Sequence, residues 1–260
     1  MKVCALASGS SGNCFYVENE VNGKNKGFLI DAGISAKQIS MRLNSIARSP
    51  ENVNAILLTH EHSDHIKGVD VFARKFNIPI FATKKTLDSR FICQNKELFN
   101  NIKNNETLKL ADLEVNAFSK SHLSGDPVSF SIINKNKKLS VMTDIGFACN
   151  NVIEEISSSD FLCIESNYDE KMLEEGFYPW PTKKWIKSDQ GHLSNTQSAS
   201  AVLEHSKNRL KQIMLCHISQ NNNTPQIAKS TYEVLLRHRL DLKPILTISE
   251  RHSPTDLFKV

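Results

Sequence analysis

The sequence predicts an α/β fold, and three observations carry that reading. Short apolar runs of strand length alternate with amphipathic stretches of helical period from one end of the chain to the other. Several of those apolar runs stop on His, Asp or Glu, as strands do when they deliver side chains to a sheet edge. No linker, internal repeat or biased segment interrupts the alternation, so a single domain over residues 1–260 is expected.

The elements follow in order. Met1 to Ala7 reads as a first strand running into a tight turn, Ser8-Gly9-Ser10-Ser11-Gly12-Asn13. Its apolar part is too short for a secretory leader. Small residues in that turn let backbone N–H groups face an anion, but on composition it is a plain turn. Phe28 to Ile30 is a strand ending at Asp31-Ala32-Gly33. Ser35 to Gln38 forms a capping box for a helix with Ile39, Leu43 and Ile46 on one face. Ala55 to Leu58 is a buried strand. Ile66, Val69, Ala73 and Phe76 mark one further helix, and Ile78 to Ala82 a strand. Leu113 to Ala117 alternates as a half-buried strand does. Val128 to Ile133 and Leu139 to Met142 flank the turn Asn134 to Lys138 as a hairpin. Phe161 to Ile164 is a strand ending at Glu165. Thr196 to Glu204 is a helix capped by Ser194 or Asn195. Gln212 to Cys216 is a strand, Thr224-Pro225 opens a helix with proline at its favoured first position, and Lys243 to Ile248 is the last strand.

Composition bounds the class. The chain has 260 residues, 40% of them apolar, enough to bury a sizeable core. No segment approaches the apolar length of a membrane span. The six cysteines form no C-x-x-C pair and mostly sit in apolar runs, which reads as reduced core thiols of a cytoplasmic protein. A net charge of +4 argues only weakly for a nucleic-acid partner, because a local cationic patch matters more than the sum.

The chemistry concentrates after the Ala55 to Leu58 strand. His60-Glu61-His62-Ser63-Asp64-His65 packs three imidazoles and two carboxylates into six residues. These are natural ligands for zinc, manganese or iron. In an extended chain His60 and His62 project to one side, leaving Asp64 and His65 for a second ion. His122, Asp144 and His217 each follow a predicted strand as well. A second informative stretch runs from Gly176 to Asn195. It interleaves Phe177, Tyr178, Trp180 and Trp185 with Lys183, Lys184 and Lys187 before Gly191-His192-Leu193-Ser194-Asn195. Aromatic faces stack on bases and lysines neutralise phosphates. Ser194 or Asn195 at a helix start offers an anion site, and His192 beside it can hold a phosphate oxygen or protonate a leaving oxygen. The competing expectation is a surface loop whose Phe177 and Trp180 pack onto the core.

The His-x-His-x-Asp-His run resembles the signature of the metallo-β-lactamase superfamily. That resemblance implies an αβ/βα four-layer sandwich with two divalent ions at one edge, zinc or manganese, with iron also compatible. Carried over by position, His60, His62 and His122 would hold one ion. Asp64, His65 and His217 would hold the other, and Asp144 would bridge them. Asp31 would brace the His loop without binding metal, and Glu165 would be a similar supporting acid. Ala7-Ser8-Gly9-Ser10-Ser11-Gly12-Asn13, the Tyr178-Pro179-Trp180 segment, Gly191 to Asn195 and His217-Ile218-Ser219-Gln220-Asn221-Asn222 together resemble the bacterial YycJ/WalJ branch, whose members are described as 5′-to-3′ exonucleases on double-stranded DNA. The implied reaction is phosphodiester hydrolysis. Asp64 would orient the attacking hydroxide, His192 would act as general acid, and Lys183, Lys184, His192, Ser194 and Asn195 would contact DNA. Trp185 departs from the branch, where a basic residue is expected. The stretch between Asp144 and His217 is too short for the large insertion of the RNA-cleavage and DNA-repair members. A small-molecule metallohydrolase of thioesterase or cyclic-phosphodiesterase type, or an RNA-processing nuclease, would share the ligands. Redox members carry Glu at the position of His62.

Overall fold

The computed structural model describes residues 1–260, and its chain divides into two compact units. The first holds Met1–Ser119, Ser124–Asn136 and Glu250–Val260; the second holds Lys120–Leu123 and Lys137–Ser249.

The first unit is built on a mixed seven-stranded sheet. Strands β1 (Lys2–Ala7), β2 (Cys14–Val21) and β3 (Lys24–Ile30) form an antiparallel meander. β4 (Val53–Leu57), β5 (Ile80–Thr83) and β6 (Phe99–Ile102) add in parallel to β3, and a C-terminal strand, Phe258–Lys259, pairs with β1 at the opposite edge. That short strand, not Lys243 to Ile248, is the last. Between β3 and β4 lies α1 (Ala36–Ser45), opened by the expected Ser35–Gln38 capping box. The helix predicted after the His-rich run is broken in two, α2 (Ser63–Ile66) and α3 (Val69–Phe76). Gly68 causes the break. Its N–H donates to Ala32 O at 2.8 Å, and a Cβ there would lie 2.1 Å from Ile34 O. The α4 helix (Lys84–Ser89) follows β5. β7 (Thr107–Leu110), β8 (Leu113–Ser119) and β9 (Val128–Asn134) complete the unit as an antiparallel set. The core joins Leu6, Tyr16 and Leu29 on the strands to Ile39, Leu43, Val69 and Phe72 on the helices. It stabilises the unit by removing apolar surface from water, at roughly 25 cal/mol per Å2.

The second unit carries four parallel strands: β10 (Lys137–Met142), β11 (Phe161–Glu165), β12 (Gln212–Cys216) and β13 (Ile245–Ile248). Helices α5 (Asn150–Ser158), α6 (Glu170–Glu175), α7 (Trp180–Ile186), α8 (Asn195–His205) and α9 (Pro225–Leu236) fill the crossovers. Parallel strands need such crossovers, and their C-terminal ends necessarily share one edge. The Gly176 to Asn195 stretch is therefore not a loop, because α7 occupies its middle. None of the six cysteines is in a disulfide, and five of them are buried. No helix is long and apolar enough to cross a membrane.

Candidate metal centre

Parallel packing decides where the polar residues go. In the first unit, β3 and β4 run side by side and end level, Ile30 opposite Leu57. Asp31 follows one and the Thr59–His65 loop follows the other, so both emerge at the same edge, where ligands bind in open α/β sheets. Asp31 adopts a left-handed backbone, φ 60°. Its carboxylate accepts from Thr59 N at 2.8 Å, Thr59 Oγ1 at 2.8 Å and His65 Nδ1 at 2.7 Å. The loop is thus pinned at three points by one buried acid. The Ser8–Asn13 turn closes on the same loop. Asn13 N donates to Asp64 O at 2.7 Å, and its side chain reaches Asp64 Oδ2 at 3.5 Å and His65 Nε2 at 3.2 Å. Gly33 is required here, since a Cβ would sit 1.6 Å from Asp64 O. His60 turns Nδ1 to Thr59 Oγ1 at 2.9 Å and Nε2 to His62 Nδ1 at 3.0 Å, and its ring centroid lies 4.1 Å from that of His65.

The second unit repeats the device. Asp144 and His217 follow β10 and β12 in left-handed conformations, φ 56° and 55°, and Glu165 ends β11 between them. Such backbone costs about 1–3 kcal/mol per residue and clusters at working sites. Asp and His are among the non-glycine residues found there most often. Glu165 is fully buried. Its Oε1 accepts from His192 Nδ1 at 2.9 Å and His217 Nδ1 at 2.7 Å, its Oε2 from Ile145 N at 2.7 Å and Leu193 N at 3.2 Å. Burial opposes ionisation of this acid, but the charges and hydrogen bonds of His192 and His217 outweigh it and hold the carboxyl below the usual carboxylate range. Asp144 Oδ1 lies 3.5 Å from His217, and 3.8 Å from both His122 and His192. His122 Nδ1 bonds to Gly191 O at 3.0 Å.

These contacts fit a divalent-metal site. His65, His122 and His217 each turn Nδ1 to an oxygen of the fold, which leaves Nε2 as the candidate donor atom. Within its own unit each ring stands beside a carboxylate, Asp64 for His65 and Asp144 for His122 and His217, and imidazole with carboxylate is a donor pair suited to zinc or manganese.

Burial pushes His122 down to about 3, against the pull of the Asp144 carboxylate. Between about 6.5 and 3 the unfolded chain binds a proton at this ring that the folded chain refuses. Metal-free protein is therefore expected to lose stability as pH falls, by about 2 kcal/mol between pH 6.5 and 4.5. Urea midpoints at the two pH values, with and without His122→Asn, measure this. An equal slope in the variant would remove His122 as the cause.

Two expectations from the sequence change. Ser194 and Asn195 do not face substrate, because both are fully buried. Ser194 caps α8 by accepting from Gln197 N and donates to Glu170 Oε1; Asn195 bonds to Ser166 and Asn223. Capping consumes the helix start that would have held an anion. Trp185, unexpected in place of a basic residue, packs on Tyr168, Leu173 and Ile186 and meets His192 edge-on at 5.5 Å. Phe177 and Trp180 do not pack onto the core; they are 78% and 70% exposed.

Three further residues hold the site's loops in place, and of these only Asn13 lies in a stretch that the sequence singles out. Asn13 holds the His loop. Asn167 Nδ2 donates to His217 O at 2.9 Å. Lys120, buried, donates to Thr143 O at 2.6 Å next to Asp144. Only partners far along the chain give them that role.

A family model described as a β-lactamase superfamily domain matches residues 26–218. The chain is 37% identical over 238 residues to exodeoxyribonuclease WalJ of Streptococcus pneumoniae serotype 2 strain D39, covering 88% of this chain and 86% of that protein. It is 34% identical over 242 residues to exodeoxyribonuclease YycJ of Bacillus anthracis, covering 90% and 88%. The Zn2+-bound PqqB structure from Methylobacterium extorquens superposes with a TM-score of 0.70 at 18% identity, over 99% of this chain and 100% of that one. The short form of human tRNase Z does so with 0.63 at 15% identity, over 100% of each. At such low identity these two speak for the fold alone, and it is the metallo-β-lactamase fold expected from the sequence. The chain belongs to the metallo-β-lactamase superfamily, in the branch that holds WalJ and YycJ.

Proposed function

We propose that this protein is a metal-dependent exodeoxyribonuclease that removes nucleotides from double-stranded DNA in the 5′-to-3′ direction and acts in the cytoplasm. The supporting observation is the pairing of His192 with a buried, ionised Glu165 beside Asp144 and His217, in a chain 34–37% identical to exodeoxyribonucleases over most of its length. In this reading His60, His62, Asp64, His65, His122, Asp144 and His217 hold two ions. Bound divalent ions neutralise phosphate oxygens and lower the pKa of water.

The chain's own residues do the rest. Asp64 accepts a hydrogen bond from the attacking water and aims it at phosphorus. His192 is held through Nδ1 by Glu165, so Nε2 serves the substrate, donating a proton to the leaving 3′ oxygen. Glu165 fixes His192 and His217 with one oxygen, which couples proton donor to ligand. Asp31 and Asn13 keep the His loop from relaxing.

A digestion panel tests the assignment, using 5′- and 3′-labelled single- and double-stranded DNA and RNA, with elemental analysis of protein purified without chelator. Nucleotides carrying the 5′ label should appear first from duplex DNA, with close to two metals per chain. Early release of the 3′ label would reverse the polarity. Preference for RNA, or for a thioester over any nucleic acid, would replace the assignment. A ceiling of one metal would remove the bridging role of Asp144.

A further inference from the structure

The α7 helix has two unlike faces. Its inner face, Trp185 and Ile186, packs on Tyr168 and Leu173, and Trp185 touches the His192 ring. Its outer face is a stripe at i, i+3, i+4 and i+7: Trp180, Lys183, Lys184 and Lys187. A stripe of that spacing is usually apolar and turned inward; here it is aromatic and cationic, and Trp180 is 70% exposed. Lys184 Nζ stands 5.3 Å from the centroid of the Trp180 ring, a cation–π distance. Phe177, three residues earlier, is 78% exposed. The same stripe, with Glu174 and Ser188, lines a cavity of about 530 Å3, within the size range of small-molecule sites.

The platform is held in place. Lys183 Nζ donates to Glu174 O at 2.7 Å, and Lys187 Nζ pairs with Glu174 Oε1 at 2.8 Å, which ties α7 to α6. Each ammonium has three donors, so neither lysine is exhausted by these bonds. Tyr178 OH accepts from Asn221 Nδ2 at 2.8 Å, anchoring the chain before α7. An indole held on a clamped helix loses little freedom when a flat partner stacks on it.

We infer that Trp180 and the lysine stripe of α7 form a stacking subsite for an unpaired nucleotide of a nucleic-acid strand, the base on the indole and the phosphates on Lys184 and its neighbours. Base–aromatic stacking with flanking cations is how single strands are gripped without regard to sequence. A duplex end offers unpaired bases only where it frays or carries a tail, so the subsite would favour such ends. An anionic membrane is the weaker fit. Interfacial helices bury an apolar face, whereas the apolar face of α7 is already covered and the helix has only seven residues. The inference rests on the nucleic-acid reading above but concerns a separate surface.

The probe is a DNA duplex with a short unpaired 5′ tail containing 2-aminopurine and joined by phosphorothioates, so that it is bound rather than digested. Wild-type protein should quench the 2-aminopurine. Trp180→Ala should abolish the quench and weaken tail binding roughly 5- to 100-fold, with an unchanged melting temperature because the side chain is exposed. Trp180→Phe should restore part of both. Lys184→Ala should keep part of the quench and lower the salt slope by about one. If Trp180→Ala binds and quenches like wild type while the enzyme still digests DNA, the subsite is wrong and the nuclease stands. If wild type quenches the tail but cleaves no DNA under any metal, the subsite stands and the nuclease reading falls. If wild type ignores the tail but binds phosphatidylglycerol vesicles in a Trp180-dependent way, the stripe is a membrane contact and the inference is overturned.

Discussion

Asp64→Asn is expected to leave a folded protein whose cleavage of duplex DNA is about a thousand-fold slower, within the range lost when a positioned proton acceptor is removed. The substitution keeps the backbone. Asn13 N still reaches the carbonyl of residue 64, and Gly33 still packs beneath it, so the His loop retains its course. The change is electrostatic. A neutral amide is a poor ligand for a hard divalent ion and a weaker acceptor for the attacking water. Initial rates on 5′-labelled duplex, a thermal melt and metal analysis on one preparation separate the contributions. Wild-type turnover at unchanged metal content would sink the role given to Asp64.

His192→Ala is expected to lower kcat by 10^2–10^4 with little change in DNA affinity, since the loss falls on a proton delivered in the transition state. Glu165 keeps His217, Ile145 N and Leu193 N as partners, so the buried carboxylate is not stranded and the second unit should fold. Metal content should also hold, because His217 retains the oxygen that orients it. Single-turnover cleavage and equilibrium binding to the same duplex provide the two readouts. A variant that binds tenfold more weakly yet turns over normally would make His192 a phosphate contact and leave the proton donor unassigned.

These two residues also show how far the sequence reaches. Asp64 lies inside a six-residue run whose composition and position after a strand declare its chemistry. His192 stood out only by its neighbours Gly191 and Leu193-Ser194-Asn195. The same reasoning takes Ser194 and Asn195 for substrate contacts, against which stand their burial and their bonds to Glu170 and Asn223. A helix-start residue looks identical in sequence whether its hydroxyl faces an anion or its own capping box. The difference lies in Glu170 and Asn223, 24 and 28 residues away. The short α7 helix was missed for a related reason. Two prolines and two tryptophans in Tyr178 to Trp185 suppress any helical signal, yet Pro179 and Pro181 sit at the cap and first turn, where a missing N–H costs nothing.

What the sequence determined by itself is the class of fold, the order of the strands that end in His, Asp or Glu, and which of those residues are candidate ligands. All are local: periodicity, run length, and residue type at a strand's end. Tertiary structure alone decided which ring nitrogen of His65, His122 and His217 is tied to the fold. It did so through Asp31 on His65, Gly191 O on His122 and Glu165 on His217, partners 34, 69 and 52 residues apart. It also decided that Asp31, Asp144 and His217 take left-handed backbone, and that the Trp180 stripe faces outward while Trp185 faces in. The physical reason is common to all of these. A hydrogen bond's direction and a side chain's exposure are set by whatever packs against them, and parallel strands bring those neighbours from distant parts of the chain.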